Sequence, residues 1–353
     1  MITLRAPFRL AALLALALLA CGGDSAGPDD QQQEEEPPPS GPPDPGPGPH
    51  FSVVPVPIET LARVTPLGYT NKVMPISHTY WLTCDFDILL RSDRPCHREK
   101  QPLRAPRDGV VLDMLAAEDG YVVVEGPPGL IWHFGHVTPA PGLAPGDSFS
   151  AGQVIATMYY DHGFDFGMDN FGIENPFIRP ERYPDGYLHG QHPIVQFPEP
   201  LRSQLTALVQ TTNTAQPLGS LDWDVPGTAA GGWFLPDVPM VQSLDRQYEE
   251  GWMWLGHLPE RPTTRLATVG YLKGNYLLVA DPSAPDWEDI TVGSGPVAIK
   301  IWYPDWTRGE PNLDVPNGTL LVELQDSTHL RVEYFPTHDP VGGFTSNAKV
   351  FIR

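Results

Sequence analysis

The chain has 353 residues, with 43 acidic and 22 basic side chains and a formal net charge of −21 at pH 7. This acidic balance argues against nucleic acid as a partner and against electrostatic adhesion to an anionic membrane, because both need clustered lysine and arginine. The length allows one large domain or two ordinary ones.

Residues 1–20 have the pattern of a secretory signal peptide. Arg5 and Arg9 precede an uninterrupted apolar run from Leu10 to Ala20, which is too short to span a bilayer. The run ends in Leu18-Leu19-Ala20-Cys21, which resembles the lipobox of bacterial lipoproteins, where the cysteine is lipidated. The alternative is an ordinary signal peptide that happens to contain a cysteine. We expect an exported protein, anchored to a membrane at the outer membrane, periplasm or cell surface through a lipid at Cys21.

Composition divides the rest of the chain into three parts. Residues 21–50 are acidic and rich in proline, and cannot bury a core, so they predict a disordered tether. Residues 51–228 predict a β domain that ends in an irregular, proline-rich extension. The one helix expected there runs from Pro200 to Thr211, because leucines recur at three- and four-residue steps. Residues 229–353 predict a second, smaller β domain of unknown role.

Cys84 and Cys96 are the only cysteines that follow Cys21. In an exported protein such a pair, close in sequence, predicts a disulfide that closes a small loop. The alternative is that Cys84 ligates a metal beside Asp85. An oxidising compartment favours the disulfide.

Residues 104–158 carry the strongest pattern in the chain. Short β-rich runs at residues 110–115, 121–126, 129–137 and 154–158 are separated by turns that contain glycine and proline. Pro145-Gly146-Asp147 and Ala151-Gly152-Gln153 place two tight turns around a strand of a few residues. A chain that folds back this often predicts an antiparallel β-barrel or sandwich.

The same stretch resembles the core of the lysostaphin-type (LytM-like) zinc endopeptidases. The matching motifs are the strand from Ala105 to Val111, the strand from Tyr121 to Val124, the histidine at His136, and the hairpin from Pro145 to Ile155. The match is specific in order and spacing over about fifty residues and is much weaker elsewhere. The resemblance implies a β-barrel or sandwich of the duplicated hybrid motif type, zinc as cofactor, and peptidoglycan or envelope peptides as partners.

The resemblance also implies a set of site residues, with departures from the family pattern. His78 stands at the first ligand position, but four residues later, where the family has aspartate, this chain has Leu82. Asp85 is the substitute ligand if the loop bulges. Asp165 stands where the family has a ligating histidine. The metal set is therefore His78, Asp85 and Asp165.

Two histidines are the candidate catalytic residues. In the family an unligated histidine orients the metal-bound water or stabilises the oxyanion. His136 matches that position, and His162 lies just upstream of the second ligand motif. His133, His189 and His192 have no ligand-like partner at strand or helical spacing, and no role is predicted for them.

Three functions remain open. One is an active zinc endopeptidase that cuts peptidoglycan peptides; a one-histidine, two-carboxylate set is chemically plausible for zinc. The second is a degenerate relative that binds envelope peptides or regulates there. The third is a capture or assembly lipoprotein with no tie to the cell wall. The broken ligand motif favours the second over the first.

In residues 229–353, strand-like runs lie at residues 266–272, 275–281, 297–303, 318–325, 330–336 and 348–353. Asn317-Gly318 predicts a hairpin turn. Trp233, Trp252 and Trp254 are expected to pack between the two β domains, the alternative being that they line a ligand-binding face.

Overall fold

The computed structural model describes residues 50–70, 73–84, 96–240, 244, 246–272, 277–305, 310–339 and 341–353. The predicted signal peptide, nearly all of the predicted tether, and Asp85 therefore lie outside the described residues. Within the described part the fold is all-β, which confirms the predicted class, and every pairing between its named strands is antiparallel.

The first half of the described chain forms one sheet of nine strands, called here the first sheet. Its strands in chain order are β1 (Arg63–Val64), β2 (His78–Leu82), β3 (Pro102–Arg104), β4 (Gly109–Leu115), β5 (Gly120–Glu125), β6 (Leu130–Pro139), β7 (Ser148–Phe149), β8 (Val154–Met158) and β9 (Gly163–Asn170). Their spatial order is β1-β2-β9-β6-β5-β4-β7, and β8 pairs with both β6 and β3. The four predicted runs of residues 104–158 are β4, β5, β6 and β8, and the two predicted turns flank β7.

Strand β9 shows why the sheet has one apolar face and one polar face. Side chains alternate across a strand. Phe164, Phe166 and Met168 are at most 2% exposed and belong to the first hydrophobic core. Asp165 and Asp169 project from the opposite face, so β9 separates the core from a polar surface.

The segment between the sheet and the second half is mostly irregular. It contains two short helices, α1 (Asp185–Leu188) and α2 (Leu201–Thr206). The helix expected from Pro200 to Thr211 is confirmed only in its first part. It ends early because the chain turns at Ala207 and Val209 forms a parallel bridge with Val64 of the first sheet. Leu205 holds the helix against the first core. Short 3-10 helices lie at Ile58–Thr60, Pro180–Arg182, Pro193–Gln196, Arg246–Gly251 and Trp287–Asp289.

The second half forms a closed eight-stranded barrel. Its strands are β10 (Gly231–Phe234), β11 (Trp252–Leu258), β12 (Arg261–Val269), β13 (Leu277–Ala280), β14 (Val297–Asp305), β15 (Glu310–Asp326), β16 (His329–Phe335) and β17 (Lys349–Ile352). The six predicted runs correspond to β12–β17, whereas β10 and β11 were not predicted. Pairing of β10 with β17 closes the barrel and leaves it without an exposed sheet edge.

The hairpin turn predicted at Asn317-Gly318 is wrong. Both residues lie inside β15, where Gly318 pairs with Ile301 at a register shift in β14. A Cβ on Gly318 would collide with the backbone carbonyl of Phe335. The glycine therefore permits a close approach between strands, which is the other common reason for glycine in a strand.

The first sheet and the barrel belong to one compact unit. Trp252 and Trp254 are 6% and 2% exposed and belong to a cluster that also contains Met74 and Tyr183, so they pack between the two β regions as predicted. Trp233 instead lies in the barrel core. Because all three are buried, none of them forms a ligand-binding face.

The predicted disulfide between Cys84 and Cys96 is confirmed. It closes a loop directly after β2, and the backbone N–H of Cys84 donates to the carbonyl oxygen of His162 at 3.2 Å. Cys84 therefore lies beside the start of β9. Across the described residues, no helix combines the length and the apolar character that crossing a membrane requires.

Candidate functional site

Strand β9 lies between β2 and β6, and its register collects the candidate residues. On β2, His78 is opposite Gly167 and Tyr80 is opposite Asp165. On β6, His133 is opposite Gly167 and Gly135 is opposite Asp165. Because directly opposed residues share a face of the sheet, His78, His133 and Asp165 lie together on the polar face.

A β-bulge brings His136 to the same place. Strict alternation after Gly135 would turn His136 to the apolar face. In the pairing of β5 with β6, however, Tyr121 is opposite Gly135 and Gly120 is opposite Val137, so His136 is an extra residue. Its φ is 57°, the only positive φ of a non-glycine residue in the described chain. The strained backbone aims the imidazole at the cleft.

The Asp165 carboxylate is the centre of the cluster. Its Oδ2 lies 3.3 Å from His78 Nε2 and 3.6 Å from His136 Nε2. Its Oδ1 is buried and has no hydrogen-bond partner. Burial by itself would raise the pKa of Asp165, but the attraction of His78, His136 and His133 outweighs it and holds the pKa below its usual value. Asp165 is therefore a carboxylate with unused bonding capacity.

Glycines create the space that this cluster occupies. A Cβ on Gly135 would lie 3.2 Å from Asp165 Oδ2, and a Cβ on Gly167 would overlap the His133 ring. A Cβ on Gly163 would lie 2.7 Å from Leu82 Cδ2. Each glycine in these strands marks a close approach, and larger residues would close the site.

His133 lies beside His78, with ring centroids 6.1 Å apart. Burial, helped by positive charge on His78 and opposed by Asp165, lowers the pKa of His133 to about 4. The ring is therefore neutral at physiological pH. No role is predicted for His133 from the sequence, although strand alternation places it on the face that carries Asp165.

Asp119 and Tyr160 are further members that the sequence prediction missed. Asp119 Oδ1 lies 2.9 Å from His136 Nδ1, and the Tyr160 hydroxyl donates to Asp119 Oδ2 at 3.3 Å. The Tyr160 and His136 ring centroids are 5.3 Å apart. Asp119 thereby fixes the orientation of His136 and leaves Nε2 facing Asp165. The sequence at Asp119-Gly120 predicts only a turn.

A cleft of about 300 Å³ opens over this cluster. Its lining residues are Arg63, Tyr69, Tyr80, Leu82, His136, Tyr160, His162, Gly163, Phe164 and Asp165. The cleft thus combines aromatic side chains with a carboxylate, histidines and one guanidinium. That mixture suits a polar organic ligand with apolar parts.

The other predicted catalytic residue, His162, lines the cleft but is turned toward Asp161. His162 Nδ1 lies 3.1 Å from Asp161 Oδ1, and its ring centroid is 4.9 Å from that of Tyr160. Burial lowers the pKa of His162, although Asp161 opposes the shift. The structure therefore brings His78, His136 and Asp165 together and places His162 at the wall of the same cleft.

Zinc is the cofactor that the sequence resemblance implies, and the donor set can be compared with what zinc needs. Zinc requires ligands at about 2.0–2.2 Å in a tetrahedral arrangement. Among the residues that the structure describes, no group of three or more His, Cys, Asp or Glu side chains is arranged to hold a metal ion. His78 and His136 both face one oxygen of Asp165, and Leu82 occupies the position of the missing aspartate. The described residues thus provide an incomplete ligand set for zinc, and the role predicted for Asp85 lies outside them.

No protein-family model and no curated protein matches the chain. Solved structures that resemble it include Helicobacter pylori Csd3, with 18% identity, 35% of this chain and 33% of that chain covered, and a TM-score of 0.26. The deep-sea metalloprotease pseudoalterin shows 12% identity, with 38% and 76% covered and a TM-score of 0.23. Lysostaphin shows 10% identity, with 84% and 88% covered and a TM-score of 0.26. This chain thus spans about a third of the length of Csd3. The function proposed below depends on this chain's own residues.

Proposed function

We propose that the protein is an exported lipoprotein whose first sheet carries a degenerate lysostaphin-type cleft that binds peptidoglycan or envelope peptides without hydrolysing them. The observation that carries the proposal is the Asp165 carboxylate between His78 and His136. In the family pattern this position is a metal-ligating histidine. Here Oδ2 lies 3.3 Å from one imidazole nitrogen and 3.6 Å from the other, so the three side chains interact with one another.

Binding is supported by the bonding capacity that remains. Asp165 Oδ1 is buried without a partner, and an unsatisfied buried polar atom costs about 1–3 kcal/mol. The part of the carboxylate that remains exposed lines the cleft, where an N–H group of a peptide can donate to it. Tyr80 and Tyr160 line the cleft, and a peptide bond next to an apolar side chain has chemistry that matches tyrosine.

An active zinc endopeptidase is the second candidate. It is favoured by the convergence of His78, His136 and Asp165 at one point of the cleft. If a metal displaced the contacts among these side chains, His136 held by Asp119 would stand ready to act on a water or an oxyanion. Metal content separates this candidate from the first.

The experiment compares binding, hydrolysis and metal content of the purified protein. We expect it to cosediment with purified peptidoglycan sacculi, to release no soluble fragments, and to contain well under one zinc atom per chain. His78→Ala should weaken cosedimentation, whereas His257→Ala, which removes a histidine from the barrel, should leave it unchanged. One zinc per chain together with fragment release would establish the peptidase instead. Absence of cosedimentation would favour a capture lipoprotein without a tie to the cell wall.

Membrane anchoring is a separate part of the proposal. It is supported by Leu18-Leu19-Ala20-Cys21 and by the acidic, proline-rich stretch that follows. Cys21→Ser should move the protein from the membrane fraction to the soluble fraction, because the acyl chains are the only predicted attachment. A mutant that stays in the membrane, with no acyl chain detected on the wild type, would contradict the lipid anchor.

A further inference from the structure

Arg63 is a deeply buried cation that lines the cleft. It is 2% exposed, and among the described residues that line the cleft it is the only lysine or arginine. Arg63 lies on β1 opposite Leu82, which in turn lies opposite Gly163 of β9. Its position in the sheet is therefore fixed by two strand pairings.

The register also sets the separation of Arg63 from Asp165. Two strand spacings of about 4.8 Å separate β1 from β9, and Asp165 is two residues, or about 7 Å, further along. The two backbone positions are thus about 12 Å apart. Since Arg63 and Asp165 line the same cleft, one ligand can meet both residues. A ligand that meets both must carry an acceptor anion and a hydrogen-bond donor within that span.

The chemistry of Arg63 favours a carboxylate as that anion. Guanidinium has five N–H donors in a planar fork that matches a carboxylate, so it can hold a ligand while it also interacts with other groups of the protein, as Arg63 does. The chain as a whole carries a net charge of −21, which repels polyanions. A peptide that carries a single carboxylate and an amide N–H within that span offers both groups without a large charge.

We propose that Arg63 makes the cleft selective for peptides that carry a free carboxylate, with an N–H group of the same peptide donating to Asp165. This inference rests on the proposed function, since it names the chemical group that the envelope peptide presents. Arg63 is then a specificity-determining residue.

The test uses peptidoglycan sacculi before and after their free carboxylates are converted to amides with carbodiimide and ammonia. Amidation removes negative charge from the sacculi. A general charge effect would therefore make this acidic protein bind amidated sacculi more tightly. Recognition of a carboxylate by Arg63 would instead make the protein bind amidated sacculi more weakly. We expect wild-type binding to fall by about tenfold to a hundredfold after amidation, the range for loss of a charged hydrogen bond.

Equal or tighter binding of amidated sacculi would overturn the carboxylate inference and leave the proposed function standing, because sacculi would still be bound. Failure to bind either preparation would overturn the proposed function as well. This comparison needs no variant, so it does not depend on whether a substitution at a buried position folds.

Variants then connect the selectivity to Arg63. Arg63→Gln should bind untreated sacculi as weakly as the wild type binds amidated ones, with no further loss on amidation. Arg63→Lys should keep part of the selectivity, because it retains the charge but loses the fork. Arg104→Gln, which removes an exposed arginine bonded to the Gly152 carbonyl, is the charge-matched control and should behave as the wild type. Full selectivity in a folded Arg63→Gln protein would refute the role of Arg63.

Discussion

The first sheet and the barrel each contain a histidine close to an aspartate, and the two pairs have different surroundings. In the barrel, His257 Nε2 lies 3.0 Å from Asp286 Oδ1, and His257 Nδ1 lies 2.6 Å from the Pro262 carbonyl oxygen. Both ring nitrogens therefore have an acceptor. In the first sheet, Asp165 is shared by two histidines, and its Oδ1 has no partner. A candidate site is marked by unused bonding capacity more than by the pair itself.

Space around the two pairs differs in the same way. In the barrel, the room left by Gly256 next to His257 is filled by the Trp254 ring, and the Trp287 indole donates to the Gly256 carbonyl oxygen at 3.1 Å. In the first sheet, Gly135 leaves room at the Asp165 carboxylate, which lines an open cleft. Glycine therefore supports apolar packing in the barrel and access to polar groups in the sheet.

The polar face of the first sheet should also give the stability of the protein a strong pH dependence. Asp169 lies on β9 four residues after Asp165, on the same face, and its pKa is raised to about 7 by burial and by Asp185. An unfolded aspartate titrates near 3.9, so the folded state binds this proton more tightly. The resulting stability is fully present below about pH 4 and is lost as pH rises to about 7.

The Asp169→Asn variant has no carboxyl group to titrate at this position, so it should not lose unfolding free energy in this way as pH rises. For one proton over about three pH units, the loss in the wild type amounts to at most about 4 kcal/mol. Urea unfolding of wild type and variant from pH 4 to pH 8 measures it. The free energies of unfolding should converge near pH 4 and separate in favour of the variant at higher pH. Parallel curves would show that Asp169 does not couple to folding.

The disulfide should stabilise the two regions unequally. Cys84 and Cys96 are separated by 12 residues, and closing a loop of this size is worth about 3 kcal/mol in chain-entropy terms. In the Cys84→Ser, Cys96→Ser double variant, amide hydrogen exchange should quicken in β2 and β9. The barrel strands β14 and β15 should change less. Equal loss of protection in both regions would mean that they unfold as one unit and would remove the contrast in stability.

The fold was predictable where local pattern decides it. The alternation and turn residues between Arg104 and Met158 gave β4 to β8, because hairpin geometry is set by neighbouring residues. Strands β10 and β11 were not predicted. Trp252 and Trp254, for example, lie in a strand that is buried on both faces and shows no alternation. The hairpin turn predicted at Asn317-Gly318 is wrong because the glycine serves another purpose. A Cβ on Gly318 would collide with the backbone carbonyl of Phe335 in β16, and this contact is distant in sequence.

The sequence predicted which positions form the site, but not how their side chains are arranged in space. His78, His136 and Asp165 were found from their order along a motif. Asp119 and Tyr160 were not, because their contact with His136 depends on a bulge that changes the strand register by one residue. Arg63 was also missed, because only the pairing of β1 with β2 brings it to the cleft.

The contrast between the two His–Asp pairs can be tested on their carboxylates. Asp165→Asn keeps the shape of the side chain and removes the charge that His78 and His136 share. We expect sacculus binding to fall about tenfold to a hundredfold, the range for a charged hydrogen bond. Asp286→Asn makes the same change in the barrel and should leave binding unchanged. Equal effects at both positions would mean that the barrel pair also belongs to the binding site.

The smallest expected effect is the difference in unfolding free energy between a glycine and an alanine variant at His136 and at His257. This difference should have opposite signs at the two positions. At His136, where φ is 57°, a residue with a Cβ is strained by about 1–2 kcal/mol and glycine is not, so His136→Gly should be more stable than His136→Ala. At His257, which also lies beside a register shift in strand β11 but has no positive φ, glycine costs about 0.5–1 kcal/mol relative to alanine, so His257→Ala should be the more stable variant. Within each pair both variants lack the imidazole, so its lost contacts cancel. Urea unfolding of the four variants gives both differences. The same sign at both positions would show that the bulge relaxes without cost and that His136 is held at the cleft by Asp119 alone.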